Sequence, residues 1–353
     1  VHNVTIEPLG QTIAVAAGQT ILDACLREGI WLPHACCHGL CGTCKVTVLK
    51  GFVDHGASSP FALMDFERDE NKALACSAVP LGDLVIEAEI DEDADAMHFP
   101  IRDFAGEVAE TRLLTPDILG IWIRLPNDGL TFQAGQYINL EIPGVAGHRP
   151  FSCANAPSQR NLIELHVRRV QGGLGTTWLH EYLKAGQKLE FSAPYGRFFV
   201  RLSAAKPLLF LAGGSGLSGP KSMLLDLLDK GWPQPITLVH GVRGRKDLYF
   251  TDLFFRLQSQ HPNFTYVPAL SAPDPGDAWE GEMGFVHEVA ERQFRGKFKG
   301  WQAYLCGPPL MVEACIRVLM QGRLFERDIF TEKFATAADG KEGLARSPLF
   351  RKI

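Results

Sequence analysis

Hydrophobic and polar positions change rhythm twice along the chain. Between Val4 and Ile90, short runs at strand period (Val4–Pro8, Ile13–Val15, Lys45–Leu49 and Leu84–Ile90) surround a single helical pattern. That helix opens at Thr20, whose hydroxyl, with Asp23 three residues on, resembles a capping box. From Ile101 to Leu202 alternating strands dominate: Gly106–Thr111, Ile118–Leu125, Tyr137–Ile142, Ile163–Arg169 and Lys188–Ser192. Pro and Gly separate them at intervals of about ten residues, which predicts a closed or nearly closed antiparallel barrel. From Pro207 the order becomes strand, helix, strand. The apolar runs Leu208–Ala212, Ile236–His240, Phe264–Ala269 and Ala303–Cys306 alternate with helices near Ser222–Lys230, Asp252–Ser259, Val286–Gln293 and Met311–Gln321. This predicts a parallel sheet covered on both faces.

Three grammars on one chain imply a multidomain protein, divided here as 1–91, a linker over 92–101, 102–203, 204–335 and a tail over 336–353. The acidic run Asp91, Glu92, Asp93 and Asp95 marks the first boundary, as a solvated linker or a docking surface for a partner. Length agrees: 353 residues are two to three ordinary domains of ~100–150 residues each. Hydrophobic residues at 46% and charged residues at 21% exclude disorder, and no run reaches the ~18 apolar residues of a membrane span. The first residues read as a strand rather than a leader, so the expected location is the cytoplasm, with no membrane association. A net charge of −5 leaves no footprint for a polyphosphate backbone, and nucleic acid is not an expected partner.

Cysteine usage changes the picture most. Nine is an odd count and five lie between Cys25 and Cys44, a poor disulfide framework and a good metal site. Cys36, Cys41 and Cys44 stand as C-x4-C-x2-C with Cys76 thirty-two residues further on, the plant-type spacing for a [2Fe–2S] cluster. Gly39 and Gly42 let backbone amides approach the sulfurs. Zinc is the rival occupant, although only Cys41 and Cys44 form the close pair a zinc ribbon needs twice. Cys37 adjoins Cys36 but gives the wrong gap. Cys25 and Cys315 read as core, and His34 and His38 are not needed as ligands.

Two further motifs point to nucleotides. In His148-Arg149-Pro150-Phe151-Ser152 an arginine can neutralise a diphosphate, a ring can pack on a flat heterocycle and a hydroxyl can bond a flavin edge. Downstream, His166-Val167-Arg168 closes a strand, and Gly172-Gly173-Leu174-Gly175-Thr176-Thr177 leads into a helix whose N-terminus favours an anion. By itself this last string is equally a hairpin or a helix cap. Gly213-Gly214-Ser215-Gly216-Leu217-Ser218-Gly219 contains G-x-G-x-x-G after a buried strand and before a helix, as pyrophosphate binding requires. No acid follows at the second strand to hold a ribose; Arg243 and Arg245 stand there instead, on a loop that either accepts a 2′-phosphate or is simply solvated. Cys306-Gly307-Pro308-Pro309 falls at the carboxyl edge of the sheet, where such folds place ligands, and Cys306 reads as a packing and orienting group rather than a nucleophile.

Together these motifs resemble the ferredoxin–NAD reductases that serve bacterial multicomponent oxygenases, over nearly the whole chain. Arg149–Ser152 is similar to the family's R-x-[YF]-S flavin motif, Gly213–Pro220 to its nucleotide loop, Cys306–Pro309 to CGPP, and Pro194-Tyr195-Gly196 to its GPxG turn with Ala193 in place of the first Gly. Ser59–Asp65 and Leu319–Phe330 look most like the reductase components of phenol hydroxylases. The resemblance implies a β-grasp ferredoxin domain, an antiparallel flavin barrel and an α/β nucleotide domain. It implies a [2Fe–2S] cluster on Cys36, Cys41, Cys44 and Cys76. It implies FAD on Arg149, Pro150, Phe151, Ser152, His166, Val167, Arg168, Gly173, Thr176, Thr177 and Phe334. It implies NADH on Gly213, Gly214, Gly216, Ser218, Arg243, Cys306, Gly307 and Pro308. The tail from Ala335 is longer than many relatives carry.

The combination has a chemical reason: nicotinamide gives electrons in pairs, a cluster takes them singly, and a flavin can do both. The chain has no E-x-x-H for a di-iron carboxylate site, so oxygen activation is expected on a separate oxygenase component that docks transiently. Two alternatives stay open: a reductase serving a ring-hydroxylating dioxygenase or another iron acceptor, and an iron–sulfur carrier or sensor that does not turn over nucleotide.

Overall fold

A computed structural model describes residues 1–90, 93–126, 129–276 and 278–334, and the chain divides into two units. Asp91 and Glu92 of the acidic run, and the tail from Ala335, lie outside the described residues.

The first unit takes in Val1–Arg102 with Pro194–Arg197. Its elements are β1 (His2–Glu7), β2 (Gln11–Val15), α1 (Ile21–Arg27), β3 (Lys45–Lys50), β4 (Val53–Asp54), α2 (Asp65–Asp69), β5 (Lys72–Leu74), β6 (Val79–Pro80) and β7 (Leu84–Glu87). The sheet order is β2-β1-β7-β3-β5, with β1 and β7 parallel, the β-grasp arrangement expected. Val4, Ile6 and Ile86 alternate inward along their strands, and Ile21, Leu22, Cys25 and Leu26 bury one face of α1. Thr20 caps α1 by accepting from the Asp23 amide at 3.3 Å. The Asp23 carboxylate does not close the box; it accepts from Gln19 and Arg27 instead. Sequence rhythm missed α2, β5 and the β4–β6 pair, which are too short to show a period.

The second unit spans residues 103–193 and 198–334. Its barrel strands are β8 (Arg102–Leu113), β9 (Ile118–Arg124), β10 (Tyr137–Glu141), β11 (His148–Ser152), β12 (Leu162–Arg168) and, after α3 (Leu174–Glu181), β13 (Lys188–Tyr195). They run in the order β11-β10-β13-β8-β9-β12, and a Cys153–Leu165 bridge joins the two ends. Their inward residues, among them Val108, Ile121, Ile138, Leu165 and Phe191, make one core.

The parallel sheet follows: β14 (Leu208–Gly213), α4 (Ser218–Asp229), β15 (Ile236–Val242), α5 (Thr251–Gln260), β16 (Phe264–Leu270), β17 (Glu282–Met283), α6 (Val286–Phe294), β18 (Gln302–Gly307), α7 (Pro309–Gln321) and β19 (Ile329–Lys333). Strand order is β17-β16-β15-β14-β18-β19. Every residue of β14 and β18 is buried, as both-face coverage demands. Because β15 and β16 lie on one side of β14 and β18 on the other, the order reverses beside β14, which opens a crevice at the carboxyl ends of β14 and β18. Gly213 and Cys306 fall at those ends. No helix among the described residues is long and apolar enough to cross a membrane.

Candidate functional site

The cysteine loop leaves α1 and turns back on itself with Cys37, Gly39 and Gly42 at positive φ. A Cβ on Gly39 would lie 2.9 Å from the Ala57 carbonyl oxygen, and one on Gly42 3.0 Å from that of Ala62, so both positions need glycine for space as well as for φ. This close packing aims amides at sulfur. His38 and Leu40 donate to Cys36 Sγ at 3.4 Å, and Gly39 donates to Cys76 Sγ at 3.2 Å. The Cys41 thiol reaches Thr43 Oγ1 at 3.2 Å. The four thiols sit in pairs, Cys36 within hydrogen-bond reach of Cys41 and Cys44 within reach of Cys76. Two cysteine pairs suit a two-iron cluster, each iron taking one pair, and the inward amides would offset its negative charge.

On the barrel, Arg149 to Ser152 lie on β11 itself rather than after it. Pro150 is tolerated there because β11 ends the strand order, its ladder partner being β10, where Pro150 faces Asn139. Arg149 is exposed, its Nη1 donating to the carbonyls of Ala146 at 3.2 Å and His148 at 2.9 Å. It lies over the start of α3, where a Cβ on Gly175 would stand 3.6 Å from Arg149 Cγ. The helix begins at Leu174, one residue after its Gly173 cap, so Thr176 and Thr177 belong to its first turn. A cavity of about 410 Å³ opens here, lined among others by Val145, Gly173, Leu174, Thr177, Trp178 and Tyr182. A helix N-terminus and an indole on one cavity, with the exposed Arg149 side chain over the start of the same helix, fit the diphosphate and a flat ring of FAD.

Not every residue of the flavin motifs faces that cavity. Thr176 accepts the Val170 amide at 3.1 Å and so closes the glycine loop. The Val167 side chain is core, and its carbonyl accepts from His180 at 2.9 Å. Arg168 pairs with Asp117 at 2.9 Å. The His166 ring is fully buried and turns to Glu164 at 2.8 Å, which leaves only its backbone for a cofactor.

The nucleotide loop runs over the crevice. Gly214 adopts φ +54, and a Cβ on Gly216 would come within 2.3 Å of the Cys306 carbonyl oxygen, so the loop lies directly on the end of β18. The Ser218 hydroxyl is spent inside the loop, donating to the Ser215 carbonyl at 3.0 Å. Gly307 and Pro308 carry the chain from β18 into α7, and Arg243 is exposed beyond β15. The Phe334 amide donates to the Gly307 carbonyl at 2.9 Å, and its ring packs, half-buried, on the core below.

One residue escaped the sequence reading. Parallel pairing of β18 and β19 sets Glu332 beside Cys306. Its carboxylate accepts from Ser152 Oγ at 3.2 Å and from Cys306 Sγ at 3.9 Å. The flavin motif and the nucleotide edge therefore meet at one carboxyl group. Glu332 retains some solvent contact, yet burial pushes its pKa up to about 7 against the hydrogen bonds from Ser152 and Cys306. Burial, with the Glu332 charge, raises the Cys306 thiol well above its usual range.

Comparison with known proteins covers all three segments. Residues 4–81 match the 2Fe-2S iron-sulfur cluster binding domain, 106–200 the oxidoreductase FAD-binding domain and 210–317 the oxidoreductase NAD-binding domain. The chain is 56% identical over its whole length to the reductase component DmpP of phenol 2-monooxygenase from Pseudomonas sp. (strain CF600), covering 99% of that protein. It is 53% identical, with the same coverage, to the phenol hydroxylase P5 protein of Acinetobacter pittii (strain PHEA-2). The crystal structure of the Amycolatopsis cytochrome P450 reductase GcoB superposes with a TM-score of 0.88 at 36% identity, over 96% of this chain and 100% of that one.

Proposed function

Since this chain belongs to the ferredoxin–NAD reductases of multicomponent oxygenase systems, with 2Fe-2S, FAD and NAD domains in one polypeptide, we propose that it serves a phenol hydroxylase. It takes electrons pairwise from NADH and delivers them singly to a separate di-iron oxygenase component, with which it docks transiently. Bound together, the nicotinamide, flavin and cluster supply hydride donation, its division into single electrons, and one-electron export.

The observation that carries this reading is the Ser152–Glu332–Cys306 contact, which brings the flavin motif and the nucleotide crevice to one point. Around it the chain's own residues do three things. Arg149 and the α3 N-terminus would hold the flavin diphosphate, while Ser152 presents its hydroxyl at the inner end of the same strand. Gly213, Gly214 and Gly216 would let the nucleotide pyrophosphate approach the N-terminus of α4, with Cys306 packing beneath the nicotinamide. Glu332, with a pKa near neutrality, can hold or yield a proton at its Oε2 beside Ser152 and Cys306. Cys36, Cys41, Cys44 and Cys76 would hold the iron that exports electrons.

Anaerobic mixing of the loaded protein with NADH tests the scheme. Flavin absorbance is expected to bleach first and cluster absorbance after it, and reduced protein is expected to reoxidise on adding phenol hydroxylase oxygenase. Cys41→Ser is expected to lose the cluster bands and keep the flavin bleaching. Loss of flavin bleaching in a folded Cys41→Ser variant would falsify the modular scheme, and reoxidation by a ring-hydroxylating dioxygenase alone would reassign the acceptor.

A further inference from the structure

Behind the nucleotide loop runs a buried polar chain that ties His166 of the barrel to Gly214 of that loop. Lys221, on α4, is 3% exposed, and its Nζ donates to Glu164 Oε2 at 2.7 Å and to the Ala154 carbonyl at 3.0 Å. Both acceptors belong to the barrel, Glu164 on β12. His166, two residues on and facing the same way, donates from Nε2 to Glu164 Oε1 at 2.8 Å. Its Nδ1 faces the hydroxyl of Tyr249 at 3.4 Å, and that hydroxyl donates to the Gly214 carbonyl at 3.1 Å. The line thus starts on the flavin barrel and ends on Gly214 of the nucleotide loop.

Its charges balance within the chain. Burial opposes ionisation of Glu164, but the His166 hydrogen bond and the Lys221 ammonium hold its pKa down at about 2, and burial pushes the His166 pKa down against the opposing pull of Glu164. The Tyr249 hydroxyl has a single proton and gives it to the Gly214 carbonyl, so its contact with His166 is one of packing, the two rings meeting edge-on with centroids 5.3 Å apart. The neighbouring Phe250 takes φ +57, uncommon for a bulky residue, and its ring lies 4.7 Å beneath the Lys221 ammonium and against His166. A strained residue clamped on two sides marks a segment whose position is over-determined. A buried ion pair adds little stability over apolar packing of the same shape, and its best-attested use is to fix a registry. Here the registry is that of the nucleotide loop against the flavin barrel.

We infer that Tyr249 is a positioning residue for the nicotinamide nucleotide, holding the Gly214 carbonyl in place through the Lys221–Glu164–His166 chain behind it. The inference rests on the proposed NADH-dependent function. Gly214 stands in the left-handed region, where an untethered peptide is free to rotate and to turn its neighbouring amides away from the pyrophosphate.

The test is Tyr249→Phe in the fully loaded protein, with NAD⁺ binding measured by titration calorimetry. Removing one neutral hydrogen bond is expected to weaken NAD⁺ about fivefold. Half-saturation for NADH should rise in step, with flavin and cluster spectra unchanged. The paired variant Lys221→Met with Glu164→Gln, which leaves no buried charge unpartnered, is expected to weaken NAD⁺ similarly. NAD⁺ affinity within twofold of wild type in both variants overturns the inference. So does a lowered melting temperature with unaltered affinity, which would make the chain merely structural. Failure of NADH to bleach the wild-type flavin would instead sink the functional reading, and the two failures are told apart by the wild-type control.

Discussion

Gly216→Ala is expected to disable the nucleotide crevice while leaving the other two cofactor sites intact. The backbone at Gly216 has an ordinary φ, so the penalty is one of space alone. A Cβ there would stand 2.3 Å from the Cys306 carbonyl oxygen, 2.6 Å from its carbon and 2.8 Å from Gly307 Cα. Comfortable separations between carbon atoms are ~3.5–4.0 Å, so the loop must retreat by about 1 Å. Nothing on the other side can yield, because the obstructing atoms are backbone at the end of β18, paired to β14 and β19. Overpacking of this kind costs ~1–3 kcal/mol, or about 5- to 150-fold in NAD⁺ affinity. A displacement of about 1 Å can cost a further ~100-fold in the rate of flavin reduction. Gly214→Ala is the control: φ is +54 but no atom lies within 4 Å, so it pays ~1–2 kcal/mol of backbone strain without moving the loop. Calorimetric titration of both variants with NAD⁺, together with stopped-flow flavin bleaching, reads the difference. The reasoning fails if Gly216→Ala binds within twofold of wild type, or if Gly214→Ala loses as much affinity.

Two further variants follow from the buried charges. Glu332 has a native pKa of about 7 against an ordinary value near ~4.3, so unfolding releases a proton between those limits and stability falls as pH rises through that window. Glu332→Gln removes this loss, and its melting temperature is expected to exceed that of wild type at pH 8 by roughly 2–4 °C per kcal/mol recovered, with the gap fading toward pH 5; a gap independent of pH would refute the assignment. Lys221→Met leaves the Glu164 carboxylate buried without its cation and is expected to cost ~3–5 kcal/mol in urea unfolding. Adding Glu164→Gln should restore most of that, and a double variant no more stable than the single one would contradict it.

Local chemistry made much of the protein legible from its residues. A cluster held by one tight loop needs closely spaced thiols, so spacing proposes Cys36, Cys41 and Cys44 as its ligands, and the C-x4-C-x2-C run fits the paired thiols found in the fold. A short uninterrupted apolar run such as Leu208–Ala212, followed by glycines, suits a strand covered on both faces, and Thr20 caps α1 through a contact three residues away. The strands β5 and β11 and the helix α2 were less visible, since a three-residue strand, a proline-bearing edge and a five-residue helix carry too little period.

What tertiary structure alone decided are the meetings of residues far apart in sequence. Glu332 reaches Cys306 because two parallel strands happen to register there, and reaches Ser152 across 180 residues; no spacing rule encodes either contact. Nothing in the sequence singles out Lys221 or Glu164, and His166 reads there as a cofactor contact. Only the packing of barrel against parallel sheet takes water from all three and makes them partners. Ligand sets held by a single loop are written in the order of the residues, whereas the microenvironment that sets a group's charge depends on which surfaces fold against each other.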